Sequence, residues 1–237
     1  MGESLGTTII GQDEKLMPFI TSCNIACGYH GGDDVHTPNT INLALEHNVR
    51  IGAHPSYPDI EGFGRRPMHF EKEELATIIT TQVLSLKKMV EEAGGVLTYV
   101  KPHGALYNKA SINSEEAQVI IAALKSINPN LALMGLAGSE MGKVSKGMDI
   151  EFISEAFCDR KYELDGSLML RSKPGAVFSK VEDVVKQVES IVFDKRVETA
   201  AGKFIAIQAD SICIHGDNPM ALEFVKAIHY LFSSKIG

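Results

Sequence analysis

Residues 22–38, SCNIACGYHGGDDVHTP, join an apolar run to a helix through a turn crowded with reactive side chains. The apolar run closes with Ile25, Ala26 and Cys27. His30, Asp33, Asp34 and His36 follow, with Gly28, Gly31 and Gly32 among them. Glycine allows close backbone approaches that bulkier residues resist. Thr37 reads as the N-cap of the helix and Pro38 as its first residue. Strand, glycine-rich polar turn and capped helix make one unit of a β/α fold, where ligands bind at strand ends.

The same pattern recurs along the chain. Four apolar runs end in a histidine beside glycine or proline: GYHGG at His30, GAHP at His54, KPHG at His103 and CIHGD at His215. If these runs are parallel strands, all four imidazoles lie at one end of the sheet. Strands are expected at residues 49–53, 96–100, 131–136, 150–153, 204–209 and 212–214. Helices are expected at 38–48, 72–93, 181–193 and from Asn218 onward. A further helix ends near Ile127, with Asn113 and Glu116 spaced as a capping box. Two loops stand out. Residues 56–68 carry Arg65 and Arg66 and should lie over a surface or a pocket. Residues 158–175 are polar and longer than most β/α connections, which favours a functional role or a lid.

Alternation of strands and helices predicts the α/β class. Six or seven strands fall short of a complete eight-stranded barrel, so an incomplete or distorted β/α barrel is expected over an open doubly wound sheet. The 237 residues suffice for a single domain over residues 1–237. The 23 basic and 30 acidic residues give a formal net charge of −7. That balance, with no basic cluster, argues against nucleic acid as a partner. Cys23, Cys27, Cys158 and Cys213 are too scattered for a disulfide scaffold and read as buried thiols. No leader and no long apolar run is evident, so no membrane association is expected and a cytoplasmic location is the simplest.

Four histidines with Asp33, Asp34, Asp159, Asp217 and Lys101 exceed what packing needs. Imidazole titrates near neutrality and suits general acid and base roles. His30, His54 and Asp33 are equally apt as ligands of a divalent metal. Lys101, at a strand end before Pro102, can hold an anion or neutralise charge on a carbonyl oxygen. Arg160 can make a two-pronged contact with a carboxylate. His36, His47, His69 and His229 read as structural or solvated. Neither a Walker lysine loop nor GxGxxG is present, so the chain carries no nucleotide signature of its own.

Longer matches run through the chain: GES (2–4), NIACGYHGGD (24–33), IGAHPSYPD (51–59), GFGR (62–65) and VKPHGALYN (100–108). GLAGSE (135–140), FCDRKYELDGSLMLRS (157–172) and IHGD (214–217) complete them. Together they resemble the LamB/YcsF family, the A subunits of bacterial 5-oxoprolinase, over nearly the whole length. The resemblance implies a distorted seven-stranded β/α barrel similar to polysaccharide deacetylases. It implies work with partner subunits B and C to open 5-oxo-L-proline to L-glutamate at the expense of ATP. On that basis His30 with Asp33 would bind or deprotonate water, and His103 would be a general acid or base. Lys101 would stabilise the oxyanion and Arg160 orient the substrate carboxylate, with Asp159, His215 and Glu3 as further substrate contacts. Family members open with a strand reading roughly IDLNADLGE, whereas this chain begins at its last two letters, Gly2-Glu3. The first strand is therefore expected to be missing, leaving an open seam that lowers stability or that a partner covers. Two other readings stay open: a metal-dependent deacetylase or amidohydrolase acting alone, and a non-catalytic carboxylate-binding subunit.

Overall fold

The computed structural model describes residues 1–235, and the chain forms two compact units that part at Ile153 and Ser154. The first unit opens with a short helix α1 (Asp13–Leu16) and a 3-10 turn (Met17–Phe19). There follow β1 (Ser22–Ala26), α2 (His36–Glu46), β2 (Arg50–His54), α3 (Lys72–Glu92) and β3 (Leu97–Val100). It ends with α4 (Gly104–Ile112), α5 (Ser114–Ile127), β4 (Ala132–Leu136) and α6 (Glu140–Gly147). The strands lie in the order β1-β2-β3-β4, and the paired neighbours run parallel. This is the expected α/β class.

Parallel strands are covered on both faces, which is why these read as short continuous apolar runs. Every residue of β4 is buried, as are the last four of β2. Helix α3 lays Leu75, Ile79, Val83, Leu86 and Val90 along one buried stripe at helical spacing. Gln82 in that stripe is buried too. Its amide accepts from the Ser56 N–H at 2.9 Å and donates to the Ser56 carbonyl at 2.8 Å, so the helix holds the chain leaving His54. The registers Ala26↔His54 and Ala53↔Val100 bring the carboxyl ends of β1, β2 and β3 level.

The second unit takes in the end of β5 (Phe152–Phe157), α7 (Val181–Val192), β6 (Arg196–Glu198), β7 (Phe204–Ala206), β8 (Ser211–Cys213) and α8 (Ala221–Lys235). β5 pairs in parallel with β8. Cys158, Val184, Val188, Phe224 and Ile228 form its buried core. Among the described residues no helix is long and apolar enough to cross a membrane.

Two local expectations give way, and one helix was not foreseen. Helix α2 begins at His36, and the Asp33 carboxylate, not Thr37, takes its first N–H groups. Helix α4, which starts directly after Pro102 and His103, is not among the helices expected. The run near Phe204 is one arm of a small antiparallel hairpin with β6, not another parallel strand; its outer residues are exposed. The cap at Asn113 is present, accepting from Glu116 N–H at 2.9 Å. The Glu116 carboxylate turns instead to Tyr57 and Lys109.

Candidate active site

In the first unit the carboxyl ends of β1, β2 and β3 gather three imidazoles. His30 follows β1, His54 closes β2, and His103 follows β3. His30 and His103 stack with ring centres 3.8 Å apart and planes within 4°. His54 meets both edge-on, at 5.7 Å and 4.8 Å. Nδ1 of His54 bonds the Lys101 carbonyl at 2.6 Å, and its Nε2 lies 3.0 Å from Nδ1 of His103. Nε2 of His103 donates to the Phe63 carbonyl at 2.9 Å. Burial lowers the pKa of all three, and for His54 and His103 the neighbouring imidazole adds to it.

Glu3 joins them. Met1 bonds along β1, its amino group to the Asn24 carbonyl at 2.8 Å and its carbonyl to Ala26 N–H at 3.0 Å. Asp13 of α1 accepts the Gly2 N–H at 2.6 Å. Glu3 Oε1 then lies 3.6 Å from His30 Nε2. A side chain at Gly31 would put its Cβ 2.7 Å from the Glu3 carbonyl, so glycine there makes room for the incoming segment. Burial raises the Glu3 carboxyl, but the Met1 ammonium, His30 and His54 outweigh it and hold it well below the usual range.

The loop 56–68 does lie over this cluster. Phe63 supplies the carbonyl for His103, and its ring sits edge-on to His30 at 5.5 Å and to His103 at 5.3 Å. Phe63 is held at φ 55°, a conformation unusual for a bulky residue and one that concentrates at functional sites. Gly64 follows it, and the Gly64 carbonyl accepts Ala105 N–H at 2.9 Å. The backbones of Gly64 and Gly104 cross so closely that a Cβ on Gly104, whose φ is +56°, would run into the Gly64 carbonyl. Gly104→Ala is therefore expected to destabilise the fold by about 1–3 kcal/mol and to displace His103. A lowered Tm with lost activity checks this; wild-type behaviour would contradict it.

Lys101 is buried, its ammonium 5.7 Å from the centre of the Tyr107 ring. Asp33 lies apart from the imidazoles in role. Its carboxylate accepts from Val35 and His36 N–H at 2.9 and 2.7 Å and from Gly6 N–H at 2.7 Å. It is a helix cap, which removes the basis for pairing it with His30 as a base or with His54 as a ligand. The bonds from His36 and Gly6 lower its pKa to about 2. Its stabilising effect is thus present above the unfolded carboxyl value and lost as pH falls towards 2. Asp33→Asn should lower Tm slightly, flatten that acid dependence and leave turnover intact. Lost turnover at unchanged Tm would return Asp33 to the catalytic set. Burial pushes the Cys27 thiol up to about 12, away from the thiolate form that a nucleophile uses.

The second unit holds the other expected residues. Asp159 is buried, and both its oxygens face His215 Nδ1, at 2.9 and 3.0 Å. Asp159 therefore orients the His215 ring, which stacks on Phe157 at 5.3 Å. The His215 contact offsets the upward push of burial and keeps the Asp159 carboxyl below its usual value. Arg160 is buried, and among the described residues its Nε has no partner. Burial and the nearby Arg171 lower its pKa to about 10. The base of the loop 158–175 is pinned, because Gln187 donates to the carbonyls of Phe157, Cys158 and Arg160. The Tyr162 hydroxyl takes the Phe157 N–H at 2.7 Å.

Comparison with known proteins gives a consistent pattern. The LamB/YcsF family profile matches residues 1–235. A protein of Geobacillus thermodenitrificans, named as the A subunit of 5-oxoprolinase, is 44% identical over 228 residues, 96% of this chain and 89% of that protein. One of the same name from Bacillus thuringiensis subsp. konkukian is 42% identical over 233 residues, 98% of this chain and 92% of its own. The crystal structure of a lactam utilization protein from Thermus thermophilus superposes with a TM-score of 0.93. It is 35% identical, covering 99% of this chain and 94% of that one.

Proposed function

The chain belongs to the LamB/YcsF family, and from that premise we propose that it is the A subunit of an ATP-dependent 5-oxoprolinase. The reaction adds water across the ring amide of 5-oxo-L-proline. The C–N bond breaks, the carbonyl carbon gains the oxygen, the nitrogen gains a proton, and L-glutamate results. The partner subunits B and C use ATP to activate the lactam oxygen, and this chain completes the hydrolysis. The names borne by the relatives support the substrate and the subunit role. The observation that carries the chemistry is the buried group of Glu3, His30, His54 and His103 at the strand ends of the first unit.

Within that group the roles divide by which nitrogens are occupied. Both ring nitrogens of His30 lack a hydrogen-bond partner among the described residues. His30 is therefore the group to take the proton from water. His103 cannot act as a general acid through Nε2, because that proton is held by the Phe63 carbonyl; its part is to fix the ring beneath His30. Lys101 neutralises charge developing on the lactam oxygen. In the second unit, considered by itself, the Arg160 guanidinium has the chemistry to hold a carboxylate.

A second reading, an amidohydrolase acting without partners, draws on the Glu3, His54 and His103 donor set. Glutamate release from 5-oxo-L-proline, measured with subunits B and C and ATP with and without this chain, and with this chain alone, separates the two. Product only when all components are present supports the first reading. Product from the chain alone supports the second.

A further inference from the structure

We propose that Glu3, His54 and His103 bind one divalent transition-metal ion of the zinc or manganese class. The inference starts from the protons. Nδ1 of His54 lies against the Lys101 carbonyl, and a carbonyl oxygen can only accept, so that nitrogen carries the hydrogen. In the neutral ring Nε2 is then a bare lone pair. The Phe63 carbonyl fixes His103 in the opposite tautomer, with the hydrogen on Nε2 and Nδ1 bare. The two bare nitrogens face each other at 3.0 Å. Lone pairs at that separation repel unless a cation lies with them.

The surroundings favour a metal over a shared proton. A carboxylate oxygen of Glu3 and the two nitrogens all lie within 4.8 Å of one another. Two nitrogens bound at about 2.0–2.1 Å to one ion stand roughly 3 Å apart when the angle between them is near 90°. Two imidazoles and a carboxylate, with a position left open, are a donor set that suits zinc and other first-row divalent ions. Metal-binding histidines usually give their second N–H to a carbonyl or carboxylate, which orients the ring. Both rings do so here, to Lys101 and Phe63. All these groups belong to the first unit. The set differs from the one expected from the sequence, with Glu3 and His103 in place of His30 and Asp33. A bound ion would supply a Lewis acid beside His30. Ion binding goes beyond the ring-opening reading and is measured without it.

The test uses the full chain, stripped with a chelator and equilibrated with zinc or manganese. Bound metal is counted by elemental mass spectrometry and melting is followed in parallel. One equivalent per chain and a raised Tm are expected. Glu3→Gln, which keeps the shape of the side chain, and His54→Gln should lose that equivalent, while Asp33→Asn keeps it. A chain that retains neither ion leaves a proton between the rings and overturns the proposal. So does retention unchanged in Glu3→Gln and His54→Gln, or loss confined to Asp33→Asn.

Discussion

His30→Leu is expected to lower kcat of the assembled enzyme by about 10²–10⁴-fold, the range for losing a general base, with Tm unchanged or raised. The His30 side chain is fully buried, and neither ring nitrogen is within hydrogen-bond distance of a partner among the described residues, the Glu3 carboxylate standing 3.6 Å from Nε2. A buried polar group left in that state costs about 1–3 kcal/mol. Burial alone would favour an apolar side chain between Phe63 and His103. Residues that cost stability in this way are characteristic of sites where activity and stability trade against each other. A structural histidine would behave in the opposite manner, with Tm falling and kcat surviving. Wild-type kcat in a folded His30→Leu protein would remove His30 from the chemistry.

Lys101→Met should lower kcat by about 10²–10³-fold, the scale for losing one group that stabilises an oxyanion, while KM changes little. The physical case is the placement of the charge. The side chain leaves β3 at its carboxyl end, is buried, and has its ammonium 5.7 Å from the centre of the Tyr107 ring. A cation in such a low-dielectric setting acts on a developing negative charge far more strongly than one in water. Because that charge grows only towards the transition state, the loss should fall on kcat. Methionine keeps the length and apolar stem, so packing is largely retained. A rise in KM with kcat intact would mean that Lys101 binds the ground-state substrate instead.

The three imidazoles were legible because each closes an apolar run, and a parallel sheet brings such ends together. His215 carried the same signal, and the structure gives it a buried carboxylate partner in Asp159. Asp33 misled because an aspartate three residues before a helix is both a cap and a candidate base, and composition does not separate the two. Thr37-Pro38 looked like the stronger helix start. Glu3 carries little signal of its own, since its place depends on Met1 pairing beside β1 and on Asp13 holding Gly2. The contribution of Phe63 was hidden for a different reason. Its key group is a backbone carbonyl, which every residue has. Helix α4 was concealed by Pro102 and Gly104, which read as breakers yet here sit just before the helix and at its first residue.

The most direct test of the central claim is a 15N side-chain NMR spectrum of the histidine-labelled chain, titrated with 5-oxo-L-proline in the presence of subunits B and C. The chain has eight histidines, so the signals can be assigned by single substitutions. The His30 signals should shift on substrate addition, with those of His36, His47, His69 and His229 unmoved. Shifts confined to those four, or an unmoved His30 while glutamate is being formed, would contradict the assignment of the chemistry to this cluster.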